Sequence, residues 1–149
     1  MGEGQQYTPS QLLKQALRYK NYWGNKGGIT VSGGEPLLQI DFLIEFFRLA
    51  KAEGVHTTLD TSANPYTEKE PFYSKWLELM KYTDLVLLDI KQIDEEEHIK
   101  LTGQSNKIFW QWHGNCQIWE NRCGSAMYLF PEAAIKMSIS TGFLVLSIL

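Results

Sequence analysis

The sequence predicts an α/β fold: a slice of a (β/α) barrel with three parallel strands, crossover helices and an irregular C-terminal tail. Three observations carry this expectation. Helical and strand patterns alternate in the order αβαβαβα, the arrangement that parallel strands with right-handed crossovers require. The run Leu85-Val86-Leu87-Leu88-Asp89-Ile90 is almost continuously apolar, as a strand buried on both faces reads. Finally, each strand ends in charge: Glu35 after the first, Asp60 and Thr61 after the second, Asp89 and Lys91 around the end of the third. Ligands of parallel β/α folds collect beyond the C-terminal strand edges, so these endings fall in one place.

Each element has its own signal. Ser10 is placed as the N-cap of a first helix reaching about Asn21, with Leu12, Leu13, Ala16, Leu17 and Tyr19 on its apolar face. The stretch from Gly27 to Pro36 organises the chain. Ile29 and Val31 alternate with Thr30 and Ser32 as in a buried strand, and Gly33-Gly34 then turns without side chains in the way. Backbone groups there can face a small molecule, and Glu35 adds a negative charge suited to an ammonium. Pro36 stiffens the exit.

The next helix reads from an Asp41 cap through Phe42, Leu43, Phe46, Phe47, Leu49 and Ala50, with Gly54 as its stop. Val55, Thr57 and Leu59 alternate with His56, Thr58 and Asp60 in the second strand, where His56 reads as a strand position rather than a ligand. A turn-rich loop leads to a helix carrying Phe72, Trp76, Leu79 and Met80. After the third strand, Asp94 caps a helix whose first turn holds Glu95, Glu96 and Glu97, favourable at its positive end.

With 44% hydrophobic residues and a net charge of −3, the composition is that of one soluble globular domain. Lys and Arg are scattered and outnumbered by Asp and Glu, which speaks against a nucleic-acid surface. Residues 1–9 are polar, unlike a signal peptide, and the apolar stretch 143–149 is far shorter than the ~20 residues a bilayer span needs. A cytoplasmic setting is the expectation.

The string Gly-Gly-Ile-Thr-Val-Ser-Gly-Gly-Glu-Pro-Leu, followed by Leu-Asp-Thr-Ser and Leu-Leu-Asp-Ile-Lys at later strand ends, resembles the radical S-adenosylmethionine activases of glycyl-radical enzymes. Among these it looks most like the group that activates pyruvate formate-lyase. The resemblance runs over about residues 7–107, and residues 1–107 are read as the central part of a radical S-adenosylmethionine (β/α) barrel. It implies an oxidoreductase activity. A [4Fe–4S] cluster chelates S-adenosylmethionine and cleaves it reductively, and the 5′-deoxyadenosyl radical takes hydrogen from a glycine of the partner enzyme. It implies pyruvate formate-lyase as partner and an electron donor such as flavodoxin. Carried onto this sequence, Gly33, Gly34 and Glu35 would hold the methionine ammonium and Lys91 its carboxylate. Asp60, Thr61 and Asp89 would hold a monovalent cation beside it, and Asp60, Asp89, Ile90 and Lys91 complete the cofactor-binding set. The structural alternative for each carboxylate is a helix cap or a pairing with a neighbouring Lys.

Two departures bear on activity. The family's Cys-x3-Cys-x2-Cys loop lies before the point where this chain begins, so none of the iron–sulfur cysteines is expected here. Cys116 and Cys123 are the only cysteines, and their spacing fits a disulfide or two plain thiols rather than a cluster motif. After Lys107, moreover, the family continues as an apolar helix, whereas this chain reads Ile-Phe-Trp-Gln-Trp-His-Gly-Asn-Cys. Back-translation with the frame displaced by one base permits Ile-Leu-Ala-Met-Ala-Arg from residues 108–114. Over residues 122–132 it permits Val-Trp-Ile-Arg-His-Val-Leu-Val-Pro-Gly, which resembles the family's next strand. Residues 108–149 therefore read as an out-of-frame tail without its own domain, from which His113, Cys116 and Cys123 inherit no role. The expected chain is an activase fragment, inactive alone and weakly folded, with strand edges left open at residues 55–60 or 85–90. The alternative is a non-catalytic α/β module that binds a small zwitterion or cation.

Overall fold

A computed structural model describes residues 6–24, 27–108, 110 and 111, together with the backbone of residues 123–127 and 143–147. Three strands form the middle of the sheet: β1 (Gly28–Ser32), β2 (His56–Thr61) and β3 (Leu85–Ile90). They alternate with α1 (Pro9–Ala16), α2 (Ile40–Ala52), α3 (Phe72–Lys81) and α4 (Glu95–Thr102). Two further strands, β4 (Cys123–Met127) and β5 (Phe143–Ser147), pair with β3 and β1, giving the order β4-β3-β2-β1-β5. All four pairings are parallel and the sheet does not close.

The α/β expectation holds, with three differences of detail. The first helix is capped by Thr8 rather than Ser10, in a capping box where Thr8 accepts from Gln11 N and Gln11 Oε1 from Thr8 N. Pro9 at the first helical position favours that start, and the helix tightens to a 3-10 turn at Leu17–Tyr22. The second helix begins at Ile40, because Pro36–Gln39 already winds as a 3-10 turn under a Glu35 cap, which leaves Asp41 inside the first turn. Lastly, β2 and β3 are paired on both sides, so the open edges expected at 55–60 or 85–90 are not there. The backbone of 123–127 pairs with β3 at 85–90, β2 lies between β1 and β3, and the backbone of 143–147 pairs with the outer side of β1.

The core lies between the sheet and a helical layer in which α1 packs on α2 and α2 on α3. Leu43, Phe46, Phe47 and Ala50 of α2 are fully buried, as are Ile29, Leu59, Leu79 and Leu88. Fully burying each large apolar side chain contributes roughly 1.5–3 kcal/mol, which is what holds this layer on the sheet. Strand alternation then assigns the opposite face. The register pairs Thr30 with Thr58, Thr58 with Leu85 and Asp60 with Leu87, so these residues and Asp89 share one face. That face is the polar one. At its foot, a Cβ on Gly28 would lie 2.2 Å from His56 O, so the close approach of β1 to β2 depends on glycine.

Candidate functional site

The three central strands end at one edge, and the polar residues there form a connected corner. Gly33 and Gly34 take φ of +93° and +51°, a turn that L side chains resist, and it carries Glu35 back over the end of β2. Glu35 Oε1 accepts from Leu37 N and Thr61 Oγ1, and Oε2 accepts from Ser62 N and Ser62 Oγ. Thr61 Oγ1 in turn accepts from Ala63 N, 3.0 Å away. Glu35 thus ties β1 to β2 and caps the turn that follows it.

Asp60 and Asp89 stand on the same sheet face, with Lys91 just beyond the end of β3. Lys91 Nζ is ion-paired with Asp89 Oδ2, whereas Asp89 Oδ1 is buried and has no hydrogen-bond partner among the described residues. Burial pushes the Asp60 carboxyl above the usual range, and Asp89 and Glu35 add to this as like charges while Lys91 opposes it. Three carboxylates around one lysine leave local negative charge in excess, the setting a cation or ammonium relieves.

A cavity of about 160 Å³ opens beside this corner. Ser62, Asn64, Asp89 and Lys91 line its strand side; His98, Thr102, Asn106 and Ile108 line the other. The structure therefore brings Glu35, Asp60, Thr61, Asp89 and Lys91 to one edge, with Gly33-Gly34 at its turn. Ile90 differs: its side chain is buried in the core, so only its backbone can serve the site. His56 begins β2 at the opposite edge, in keeping with a strand position.

Ser62, His98 and Asn106 were missed by sequence reasoning. For Ser62 the signal was present, since it closes the Leu-Asp-Thr-Ser string. His98 looked like one polar residue on an acidic helix, and Asn106 like the end of a loop.

The chain has a parallel β/α fold with a polar corner at the C-terminal edge of its strands, the edge at which folds of this class place their ligands. A sequence model described as the Radical SAM superfamily matches residues 1–121, and the chain belongs to that family. Its relatives are pyruvate formate-lyase-activating enzymes. The one from Listeria monocytogenes is 52% identical over 107 residues, covering 71% of this chain and 43% of the relative. That from Streptococcus mutans is 54% identical over 100 residues, covering 67% and 38%. A crystal structure of a domain of the Bacteroides vulgatus pyruvate-formate lyase-activating enzyme superposes with a TM-score of 0.51 at 27% identity, covering 62% of this chain and 54% of that one. The chain spans less than half the length of these curated relatives.

The family implies S-adenosylmethionine and a [4Fe–4S] cluster. The corner fits the first: its glycine turn, its orphaned Asp89 Oδ1 and its mixed charges suit a zwitterionic head group. The residues present in this sequence do not by themselves supply the cluster's ligand set. The resemblance calls for three thiolates and the sequence has two. Cys116 lies outside the described residues, and of Cys123 only the backbone is described. Among the described residues, no group of three or more His, Cys, Asp or Glu side chains could hold a metal ion. Nor is any helix among them long and apolar enough to cross a membrane.

Proposed function

We propose that this chain is the methionine-binding part of a radical S-adenosylmethionine activase. In this reading its partner is a glycyl-radical enzyme, specifically pyruvate formate-lyase, its electron donor resembles flavodoxin, and its setting is the cytoplasm. S-adenosylmethionine, when bound, supplies a sulfonium whose carbon–sulfur bond is open to reductive cleavage. The chain's own residues bind and orient. Backbone groups of Gly33 and Gly34 receive the ammonium within the field of Glu35, and Lys91 receives the carboxylate. Asp60, Thr61 and Asp89 hold a monovalent cation beside it, with the Ile90 backbone completing the wall. The observation that carries the reading is the convergence of three carboxylates and one lysine around a positive-φ glycine turn.

Calorimetric titration of the full chain with methionine and with S-adenosylmethionine tests it, in potassium chloride and in choline chloride. Binding should weaken at least about tenfold in Lys91→Ala, as loss of a charge-assisted contact predicts. It should also weaken without the potassium ion. No binding by the unmodified chain, or an unchanged affinity in Lys91→Ala, would overturn the reading.

The presence of only two cysteines favours a second reading, a non-catalytic α/β fragment that binds a zwitterion or cation. Two outcomes belong to it: no cluster after anaerobic reconstitution with iron and sulfide, and no 5′-deoxyadenosine. A cluster absorption band with 5′-deoxyadenosine production would reject it, as would an in-frame Cys-x3-Cys-x2-Cys upstream in the coding DNA. The same DNA tests the proposal that residues 108–149 are out of frame. Inserting one A after codon 107 should continue the translation as Asn-Ile-Leu-Ala followed by Met or Val and then Ala. Failure to do so rejects the frame displacement.

A further inference from the structure

Glu35 is held unevenly, and the unevenness singles out one residue to which no role has been assigned above. Its Oε1 accepts from Leu37 N, a bond made within its own turn, and from Thr61 Oγ1. Among the described residues, both bonds to Oε2 come from Ser62: the N–H at 3.1 Å and the hydroxyl at 2.6 Å. A carboxylate only accepts, so the Ser62 hydroxyl hydrogen points at Glu35, and the hydroxyl oxygen is left to accept from Asn64 N at 3.5 Å. Thr61 does the same one residue earlier, with Ala63 N as the donor to its hydroxyl. Two relays of N–H, hydroxyl and carboxylate thus run side by side into Glu35, and each link polarises the next.

The backbone that carries Ser62 is set from both sides. β2 precedes it, and Ala63 after it takes φ of +65°, in the left-handed region that alanine enters only where surrounding contacts outweigh the cost. Those contacts are present: Ala63 is fully buried, and its carbonyl accepts from Tyr66 N at 2.8 Å.

We propose that Ser62 is a positioning residue for ligand recognition: by holding Oε2 it fixes where the Glu35 charge stands relative to the Gly33-Gly34 turn, and so sets the affinity for a ligand that carries an ammonium. The proposal rests on the reading of this edge as a methionine site. Oε1, held partly within Glu35's own turn, is the pivot. With the Ser62 hydroxyl gone, Oε2 keeps a single N–H and the carboxylate rocks toward water, so part of the cost of aiming it falls on binding. Ser62 is itself exposed, so its hydroxyl serves Glu35 without belonging to the packed core. Thr61, 2% exposed, packs as well as donates, and a change there would mix the two effects.

A double-mutant cycle on the full chain tests this, read by calorimetric titration with methionine in potassium chloride. Ser62→Ala should weaken methionine binding roughly three- to tenfold, one hydrogen bond's worth. Ser62→Thr, which keeps the hydroxyl, should restore the affinity of the unmodified chain. In the Glu35→Gln background, Ser62→Ala should change little further, because its effect passes through the carboxylate. A second measurement needs no ligand: in chain carrying ¹³C-labelled glutamate, the Glu35 carboxyl resonance should move in Ser62→Ala and return in Ser62→Thr. If Glu35→Gln binds too weakly to titrate, that resonance decides. An equal loss with and without the Glu35 carboxylate, an unchanged or higher affinity in Ser62→Ala, or an unmoved Glu35 resonance overturns the proposal. Methionine binding that ignores Ser62→Ala rejects the role of Ser62 and leaves the methionine reading intact; absence of methionine binding by the unmodified chain rejects both.

Discussion

The two ends of the sheet use the same residue types to opposite effect. At the N-terminal edge, Asp84 receives both Lys51 Nζ contacts, at 2.7 and 2.8 Å, together with Thr57 N and Thr57 Oγ1. Burial alone would raise its carboxyl. The Lys51 and Thr57 hydrogen bonds outweigh that and hold it below the usual range. At the C-terminal edge, burial and the neighbouring Asp89 and Glu35 raise Asp60, and an oxygen of Asp89 is left buried and unmatched. One edge is matched charge for charge and serves stability. The other holds unbalanced charge, which costs stability and is available to a ligand.

The largest expected break is at the matched edge. Gly28→Ala puts a Cβ into the His56 carbonyl and should cost about 3 kcal/mol as over-packing against backbone, read as a lower midpoint in urea unfolding. Asp84→Ala comes next, at about 2 kcal/mol for a part-buried charged acceptor. Its pH signature is specific. Because the folded carboxyl sits below its unfolded value of about 4, its contribution is present above that value and lost as the pH falls through the folded one. Asp84→Ala should therefore flatten the acid limb of a thermal-stability profile.

At the other edge, Glu35→Gln should cost about 1 kcal/mol, since an amide cannot accept all four of the bonds the carboxylate accepts. Smallest, and opposite in sign, is Asp60→Asn, which should stabilise by ~0.5 kcal/mol near neutral pH through relief of like charge. With its folded carboxyl raised, Asp60 contributes nothing adverse below about pH 4; its cost grows as the pH rises from there through the folded value. Asp60→Asn should abolish that decline. Destabilisation of the chain by Asp60→Asn would dissolve the distinction between the two edges.

Legibility in the sequence follows the range of the interactions. Strands, the Asp94 cap and the strand-end charges are local patterns, and Asp94 Oδ1 does accept from Glu97 N as that pattern expects. The Asp84 cluster escaped because Asp84 reads as one acid before an apolar run, its partner Lys51 lying 33 residues away. His98 escaped for the converse reason. Its partners are near in sequence, but they are a hydroxyl and a backbone carbonyl, which no side-chain motif encodes. The first helix cap was misplaced by two residues because Thr8 and Ser10 are both good caps, and the decision falls to Gln11, which answers Thr8.

Glu35 has a consequence for binding. A carboxylate has about four lone-pair positions, and the corner formed by Leu37, Thr61 and Ser62 supplies four hydrogen bonds to them. An arriving ammonium has no vacant position on Glu35 to claim and no protein bond to break before it can settle. In the proposed reading it meets the backbone of the glycine turn, within the field of a charge that stays where it is. The entropy of arranging Glu35 is lost during folding rather than during binding, so a head group held here as proposed would find that carboxylate already in place.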